Sequence, residues 1–411
     1  MLIARVFSAI LLFFSSFGGN LSAISVEIPN DLRVEEYTQN NGFSRAAFWI
    51  ASKLSDPVCK SHEYFRRIQI VDALHPEECK LVRLARQIFL GSLFVCFGAL
   101  GIFTAPPSVA LRALALHLQA HPFLYERGGA SEKVLPDKPI FSLLSWNICC
   151  VAGGYPVSDG GVSPWVDRID AVARKIIETD ADVNCLYETF DLQAAAKLSD
   201  ELKAAGYSHI YYNIGPKAMG PPSGIFVASK YRISNPDFIS FPQELLIGRT
   251  KHASKGIFTF DLVSNGSVFA TISATHLQHS EKPEFPTAEE IQARASQMEM
   301  LVEKVQTITD RAVLVVGDLN LDDQEFHSSD WSPSFEKNDQ FTEKTWGGDA
   351  FCARLTGKEV SGPLNLDHSM SLKGSVLSIE TKLIDTGFDA ESFSEEALTD
   401  HRGLLTHIHL L

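Results

Sequence analysis

Several short apolar runs in the last two thirds of the chain end in a side chain that can do acid–base or metal chemistry. IFSLLSWNICC brings Asn147, VNCLYETF brings Glu188 and SVFATISATHLQH brings His276. A single polar residue at the end of a strand is usually a turn or capping residue. A whole series, each member after a separate apolar run, points instead to one shared site. Its members are Asn147, Glu188, His276, Asp318, Asn320, Asp367, Asp400 and His401.

Two kinds of chemistry follow from these residue types. Glu188 and Asn147 offer hard oxygen ligands, which suit one Mg²⁺ that takes phosphate oxygens as further ligands. Such an ion would stabilise the charge that develops on a phosphoryl group and on its leaving oxygen. Asp400 is adjacent in sequence to His401 and could help to place the metal or the substrate.

The remaining residues could activate water. His401, oriented by Asp367, could take a proton from water for in-line attack on phosphorus. Asp318 and Asn320 lie two apart, so on an extended chain both face the same way and could position water and a phosphate oxygen. His276 could hydrogen-bond the phosphate as it gains charge. Neither a Cys-x5-Arg phosphatase loop nor a GxSxG elbow occurs, so we expect no covalent intermediate.

Strands and helices must alternate to bring these groups together. VDRIDAVARKIIETDAD has helical periodicity between the runs that end in Asn147 and Glu188. A second helix is predicted from Ala288 to Thr309, between His276 and Asp318. The pattern predicts an α/β fold in which strand ends meet at one edge of a sheet or sandwich.

Charge and cysteine usage narrow the class of protein. The 411 residues have a formal net charge of −14, and residues 139–411 hold 22 Lys and Arg against 38 Asp and Glu. Such an acidic surface argues against a nucleic-acid partner, since phosphate backbones are bound by Lys and Arg. The seven cysteines include no CxxC pair, so we expect free thiols, buried at Cys149, Cys150 and Cys185.

Two apolar segments precede the predicted catalytic part. Residues 2–17 could be a signal-peptide core, which leaves secretion through residues 1–23 open, or a short membrane anchor. Residues 88–105 contain no charge and are a candidate membrane helix that we expect Pro106–Pro107 to end. A buried core helix is the alternative. Both segments are short for a full span, so shallow insertion and crossing stay open.

The predicted domain boundary follows these segments. Ser108–Arg127 repeats Leu at helical spacing and predicts an amphipathic helix on the membrane or on the catalytic part. Residues 128–139 are rich in Gly, Pro and charge and are typical of a linker. We therefore expect a membrane-associated region over 1–127, a linker over 128–139 and a catalytic domain over 140–411. The sequence does not say which membrane, or which oligomeric state.

The motifs LSWNI, LYET, THL, GDLN, LDH and TDH occur in this order and resemble those of the endonuclease/exonuclease/phosphatase superfamily. This resemblance implies a four-layer αββα sandwich with a divalent metal at one edge. By position, it implies metal ligation by Asn147 and Glu188, contacts of Asp318 and Asn320 with water and phosphate, His401 as base oriented by Asp367, and Asp400 near the metal or phosphate.

Within that superfamily, the chain is most similar to neutral sphingomyelinases of the membrane-associated type. SGIFVASKYRI, ASKGIFTFDLV and TWGGDAF before LDH resemble their central segments, and two apolar segments precede the domain as in that type. Two departures are Tyr187, where the family has Gln, and His368, where it has Tyr; both could affect the substrate. The resemblance implies Mg²⁺-dependent hydrolysis of sphingomyelin to ceramide and phosphocholine. A nuclease, a phosphoinositide phosphatase and an inactive membrane-tethered binding module stay as alternatives.

Overall fold

The computed structural model describes residues 42–151, 162, 164–337, 344–346, 364–384 and 398–411. These belong to one compact unit that spans Tyr37–Leu411. The apolar segment 2–17 and Cys352 lie outside the described residues. The helices are α1 (Gly42–Leu74), α2 (Lys80–Leu118), α3 (Trp165–Glu178), α4 (Leu192–Ala204), α5 (Ala288–Val305) and α6 (Asp323–Ser328).

The strands of the described residues form two mixed sheets. The first has the order β1-β4-β5-β3-β2-β13-β12 and the second β10-β11-β9-β8-β7-β6. The strands are β1 (Leu124–Arg127), β2 (Ile140–Cys150), β3 (Val183–Thr189), β4 (His209–Tyr212), β5 (Phe226–Ser229), β6 (Arg232–Ser240), β7 (Gly256–Ser264), β8 (Ser267–His276), β9 (Ala312–Asp318), β10 (Phe335–Glu336), β11 (Asp367–Leu372), β12 (Ser378–Ile384) and β13 (Gly403–His409).

Each sheet contains one parallel pair, and a helix joins the two strands of that pair. In the first sheet α3 connects β2 to the parallel β3, and in the second α5 connects β8 to the parallel β9. The other pairings are antiparallel. Both helices were predicted from their periodicity, and the α/β class is confirmed.

Alternation along β2 shows which side of the first sheet the helices cover. Leu144, Trp146 and Ile148 belong to the core that contains buried residues of α3 and α4. Phe141, of the opposite parity, meets Phe269 of the second sheet edge to face, with ring centroids 5.5 Å apart. Because successive side chains of a strand point to opposite faces, β2 contacts helices on one side and the other sheet on its other side.

The second sheet repeats this arrangement. Val313 and Val315 of β9 pack with Met298 and Leu301 of α5. A Thr287–Glu290 capping box begins α5, because each side chain pairs with the backbone N–H of the other. The sheets are also joined directly, since the Thr406 hydroxyl of β13 donates to Ser369 Oγ of β11 at 2.7 Å.

Helix α2 differs from the sequence prediction in two ways. It continues through Pro106 and Pro107 to Leu118, whereas we expected the prolines to end the apolar helix. A proline inside a helix removes a hydrogen bond, but packing can hold the helix together; here the Ser108 hydroxyl donates to Ala51 O of α1 at 2.6 Å. The predicted helix over Ser108–Arg127 is also wrong after Leu118.

The first sheet begins before the predicted start of the catalytic part at residue 140. Leu124–Arg127 form β1, which pairs with β4. Residues 128–139 follow and bond to the sheets, with Gly128 N–H donating to Ser208 O at 2.9 Å and Lys133 N–H to Lys230 O at 2.8 Å. Sequence periodicity did not show β1, because a four-residue strand is too short to reveal its period. The division into membrane-associated, linker and catalytic parts stays a prediction.

Helix α2 contains the predicted apolar segment 88–105. Among the described residues it is the one helix long and apolar enough to cross a membrane, with a mean hydropathy of 2.2 over its best 18-residue window. Only 6 % of that window is buried. The alternative that the segment is a buried core helix therefore does not fit the structure.

Candidate active site

The predicted residues lie at one edge of the paired sheets. Asn147 and Glu188 are near the carboxyl ends of the parallel strands β2 and β3. His276 and Asp318 end the parallel strands β8 and β9, where they are direct neighbours in the ladder. Asp367 begins β11 and is paired with Asp318. Since carboxyl ends of parallel strands share an edge, this topology explains why residues so distant in sequence converge.

Close approach of the backbones at this edge depends on Gly317. A Cβ atom at this position would lie 2.1 Å from Thr275 O of β8, which no side chain can tolerate. The glycine of the GDLN motif therefore lets β9 lie against β8 just before Asp318.

Asp318 is the centre of the cluster. Its Oδ2 accepts a hydrogen bond from Asn147 Nδ2 at 2.9 Å, and lies 3.3 Å from His276 Nε2 and 3.8 Å from His401 Nε2. Its Oδ1 accepts from Asn320 N–H at 3.1 Å. One carboxylate thus ties together residues of both sheets.

His401 is held by Asp367. Its Nδ1 lies 2.8 Å from Asp367 Oδ2, and both side chains are buried. Because a carboxylate accepts, Nδ1 carries the donated proton and Nε2 is the nitrogen directed at Asp318. Burial alone would lower the pKa of His401, but the charges of Asp367, Asp318 and Asp400 raise that pKa well above its ordinary value.

The pKa of His276 is shifted in the opposite direction to that of His401. Its burial, with the nearby charges of Lys255 and His401, lowers its pKa well below the ordinary value, so it is neutral. Its Nε2 lies between Asp318 and Glu188, 4.0 Å from Glu188 Oε1. Its Nδ1 is buried and has no hydrogen-bond partner among the residues that the structure describes. The surroundings thus shift the pKa values of the two histidines in opposite directions within one cluster.

Glu188 carries backbone and electrostatic strain. Its φ of 58° lies in the left-handed region that side chains other than glycine seldom adopt, and Cys149 and Asn320 share this feature at 47° and 53°. Burial and the charges of Asp400 and Asp318 raise the pKa of Glu188 to about 7. Such strain is concentrated at functional sites, where the surrounding structure holds it in place.

The segment that carries Asp400 and His401 is bonded to the end of β2. Trp146 Nε1 donates to His401 O and the Thr399 hydroxyl donates to Asn147 O, both at 2.9 Å. Asp400 accepts from the Thr399 hydroxyl at 3.3 Å. Arg168 of α3 is buried and donates through Nη1 to Ile148 O at 2.7 Å and to Leu398 O at 2.5 Å.

The donor set fits a divalent cation. Glu188, His276 and Asp318 present ligand atoms within 4.8 Å of one another, and so do Asp318, Asp367 and His401. Asn147 Oδ1 accepts from Cys149 N–H at 3.0 Å and retains a second lone pair. Several carboxylates held this close repel one another, as the pKa of Glu188 shows, and a cation relieves that repulsion.

All eight predicted residues are near one another, although Asn320 turns its amide toward Leu277 O at 3.5 Å. Lys255 and Arg168 were missed. Lys255 Nζ donates to Leu277 O at 2.5 Å, and burial lowers its pKa to about 8 against the opposing charges of Asp318 and Glu188. Two features of the sequence could have identified these residues. Lys255 directly precedes an apolar strand, and Arg168 is a charged residue on the apolar face of a helix.

The two departures from the family pattern differ in position. Tyr187 is buried beside the cluster, where Ser145 Oγ donates to its hydroxyl at 3.3 Å and its ring meets His276 edge to face. His368 instead stacks on Phe326, with centroids 5.1 Å apart, and its Nε2 lies 3.0 Å from Leu321 O. Because His368 alternates with Asp367 along β11, its side chain faces away from the cluster, and its predicted effect on the substrate stays a prediction.

Comparison with known proteins agrees with this geometry. The model of the endonuclease/exonuclease/phosphatase family matches residues 144–371, and the chain belongs to this family. A stretch of 88 residues is 34 % identical to sphingomyelin phosphodiesterase 5 of Danio rerio, covering 19 % of this chain and 16 % of that protein. The likeness to this relative is therefore confined to a small part of its length.

Solved structures share the fold at low sequence identity. SmcL superposes with a TM-score of 0.52 at 18 % identity over 66 % of this chain and 99 % of its own. A beta toxin mutant from Staphylococcus aureus, crystallised with bound magnesium ions, gives a TM-score of 0.51 at 19 % identity over 65 % of this chain and 98 % of its own.

Proposed function

We propose that this protein is a Mg²⁺-dependent phosphodiesterase of phospholipase C type that hydrolyses sphingomyelin, or a related phosphocholine lipid, to ceramide and phosphocholine. The observation that carries the proposal is the buried His401–Asp367 pair beside the Glu188–Asp318 carboxylates. The likeness to a sphingomyelin phosphodiesterase, though short, supports the choice of lipid. The fold that we propose is the four-layer αββα sandwich.

The base in this proposal is His401. With Nδ1–H donated to Asp367, its Nε2 takes a proton from water that attacks phosphorus opposite the leaving alcohol. Asp318 and Asn320 orient that water and a phosphate oxygen. His276, being neutral and buried, donates a hydrogen bond to the phosphate as charge develops there.

The proposed metal ligands are Glu188 and Asn147, with Asp400 close by. These oxygen donors suit Mg²⁺, which prefers carboxylate and amide oxygens and keeps water or phosphate oxygens as its other ligands. When bound, the ion supplies positive charge that stabilises the phosphoryl oxygens and offsets the carboxylates that raise the pKa of His401. The magnesium-bound toxin of the same fold supports this choice.

The proposed location of the protein is at a membrane. Residues 2–17 and the exposed apolar part of α2 are the segments that would associate with lipid. The acidic balance of residues 139–411 disfavours a nucleic-acid substrate.

The test uses the full chain with headgroup-labelled sphingomyelin in mixed micelles, with Mg²⁺ or with EDTA. We expect release of phosphocholine only with Mg²⁺. Phosphatidylcholine, a phosphoinositide and supercoiled plasmid are assayed in parallel. Cleavage of plasmid or phosphoinositide without release of phosphocholine would replace the proposed substrate. If none of these substrates is turned over with Mg²⁺, the proposal fails in favour of an inactive membrane-tethered binding module.

A further inference from the structure

Helices α1 and α2 form an antiparallel hairpin with two unlike sides. The helices pack on each other through aromatic pairs, with ring centroids 5.6 Å apart for Phe65–Phe94 and 5.5 Å for Tyr64–Phe97. Gly101 of α2 lies so close to Val58 of α1 that a Cβ atom would be 2.8 Å from the valine Cγ2. The hairpin is therefore tightly packed, and its two outer sides can have separate roles.

The side formed by α1 is fixed to the catalytic part by polar contacts. Arg67 Nη2 lies 2.5 Å from Asp167 Oδ2 in the first turn of α3. Gln193, in the first turn of α4, accepts a hydrogen bond from Lys53 Nζ at 2.6 Å and donates one to Asp56, and both partners belong to α1. These contacts fix α1 at the amino-terminal ends of both helices.

Those helix ends lie at the edge of the sheets where the candidate active site is. Helix α3 follows the end of β2, which carries Asn147, and α4 begins three residues after the end of β3, which carries Glu188. A crossover helix runs opposite to its parallel strands, so its first turn lies at their carboxyl ends. The hairpin is thus attached to the site-bearing edge and not to the opposite one.

The outer side of α2 is a row of exposed apolar side chains. Leu81, Ile88, Val95 and Ile102 are seven residues apart, and 62–75 % of each is exposed. Seven residues are almost two helical turns, so the four lie along one face. The adjacent row of Val82, Phe89 and Phe103 widens it. We call these seven residues the apolar row.

The composition of the apolar row favours lipid as its partner over another protein. No charged residue occurs from Ile88 to Leu111, while Arg83 and Arg86 precede this stretch and Arg112 follows it. The Ser92 hydroxyl donates to Ile88 O at 3.0 Å, which satisfies it without water. Protein interfaces are mixed with polar groups, whereas an uncharged stretch between cations is typical of membrane contact.

The partner helix shows how the row meets the bilayer. Lys60, Glu63 and Arg66 of α1 lie beside the part of α2 between Phe94 and Gly101. Charged side chains do not enter hydrocarbon without a large cost, so α1 cannot accompany α2 across a bilayer. Only immersion from the side, with α2 along the surface, buries the row and leaves α1 in water.

We propose that the hairpin is an in-plane membrane anchor that holds the site-bearing edge of the sheets against the lipid headgroups. The proposal rests on the proposed function for its lipid substrate, but the anchor and its orientation are independent of turnover. A phospholipid whose phosphate lies at the bilayer surface then meets the catalytic cluster without leaving the membrane.

The decisive experiment measures orientation without catalysis. A donor dye is attached to Met219→Cys, whose side chain is 75 % exposed on the loop from β4 to β5 at the site-bearing edge, or to Ser267→Cys at the opposite edge. Energy transfer to a headgroup acceptor is measured on vesicles of phosphatidylcholine and sphingomyelin. The thiols Cys59, Cys79, Cys96 and Cys352 are first replaced by serine, so that the dye attaches at one position.

We expect stronger energy transfer from position 219 than from position 267. Equal transfer, or stronger transfer from position 267, would overturn the orientation. The result does not depend on which substrate is cleaved, so failure of the proposed function and failure of the anchor are separately visible.

The apolar row is tested by Ile88→Asp with Ile102→Asp. We expect this variant, although it retains residues 2–17, to sediment less with vesicles than the unmodified chain and to lose about tenfold or more of its vesicle activity, because a carboxylate does not partition into hydrocarbon. Its activity on mixed micelles should stay within about twofold. The matched control is Leu377→Asp, an equally exposed apolar residue outside the hairpin. Unchanged vesicle binding in the row variant would contradict the anchor.

Discussion

The hairpin of α1 and α2 and the part that contains the two sheets each depart from the usual rule that apolar side chains are buried and charged side chains are exposed. The hairpin exposes large apolar residues, such as Ile88 and Phe103, whereas the sheet edge buries the charged residues Asp318 and Asp367. Each reversal costs free energy in water unless a partner is bound. Under the proposals above, the partner is an apolar surface for the hairpin and a cation with a phosphate for the sheet edge.

The contacts that support each reversal also differ. At the sheet edge, Asp318, Asp367 and His401 are buried within bonding distance of one another, so the loss of one of them leaves the others buried without that partner. On the hairpin, the exposed groups are independent, and the ion pairs behind them are partly in water. Substitutions should therefore have large effects at the sheet edge and small ones at the base of the hairpin.

The largest effect is expected at His401. His401→Ala should lower the turnover number by ~10²–10⁴-fold, because the general base is lost. His407→Ala, on β13 only six residues away and outside the cluster, should change turnover by less than about twofold. A decrease of less than tenfold in His401→Ala would remove that residue from the role of base.

The next effect concerns stability within the two-sheet part. Glu325 accepts two hydrogen bonds from the buried Arg294, at 2.7 and 2.6 Å, so Glu325→Ala should lower the free energy of unfolding by ~3–5 kcal/mol. Glu281→Ala breaks the exposed pair with Arg249 and should cost ~0–1 kcal/mol. Urea denaturation measures both; similar losses would show that burial does not separate them.

The pKa of Glu188 predicts a pH effect on the cation-free protein. Because its pKa rises from 4.5 to about 7 on folding, the folded state binds the proton more tightly and loses stability as the pH rises through this range. At ~1.4 kcal/mol per pKa unit, the loss is on the order of 1–3 kcal/mol. Melting temperatures in EDTA between pH 5 and pH 8 should fall, and Glu188→Gln should flatten the curve. An identical slope in that variant would assign the loss to other groups.

Arg168 should affect turnover through the position of its neighbours. Arg168→Met removes the donors to Ile148 O and Leu398 O, so we expect the Asp400–His401 segment to shift and the turnover number to fall about tenfold, or ~1.4 kcal/mol. KM should change little, since Arg168 is behind the site. Arg168→Lys should recover part of the loss. If Arg168→Lys recovers no activity and Arg168→Met turns over normally at low temperature, the role of Arg168 is purely structural.

The smallest effect is expected at the base of the hairpin. Arg67→Gln removes an ion pair with Asp167 in which both side chains are about a third exposed, so stability should change by ~0–1 kcal/mol. Urea denaturation gives this value. A loss above ~2 kcal/mol would show that the hairpin and the sheets form one cooperative core, and would weaken the contrast between the two regions.

Local sequence was sufficient for the parts of the molecule that repeat. The helices α3 and α5 have clear periodicity, and the strands around Asn147, Glu188, His276 and Asp318 are apolar runs that end in polar residues. Their convergence was predictable because parallel strands share an edge. Element ends, in contrast, depend on tertiary contacts: β1 exists because β4 pairs with it, and α2 passes its prolines because α1 packs beside it.

The supporting residues of the site were also beyond local sequence. Arg168 bonds to carbonyls on two separate segments, and Lys255 gains its low pKa from burial beside charges that only the fold brings near. The orientation of His368 was also beyond local sequence, because strand alternation turns its side chain away from the adjacent Asp367 and toward Phe326.

The placement of one helix-linked parallel pair in each sheet has a mechanical consequence. Asn147 and Glu188 belong to one sheet, His276 and Asp318 to the other, and Asp318 bonds across the gap to Asn147. Any ion or phosphate bound there contacts both sheets at once and holds them together. Because such a ligand binds the folded state and not the unfolded chain, it raises the free energy of unfolding of the domain. The melting temperature should therefore increase with the fraction of molecules whose site is occupied.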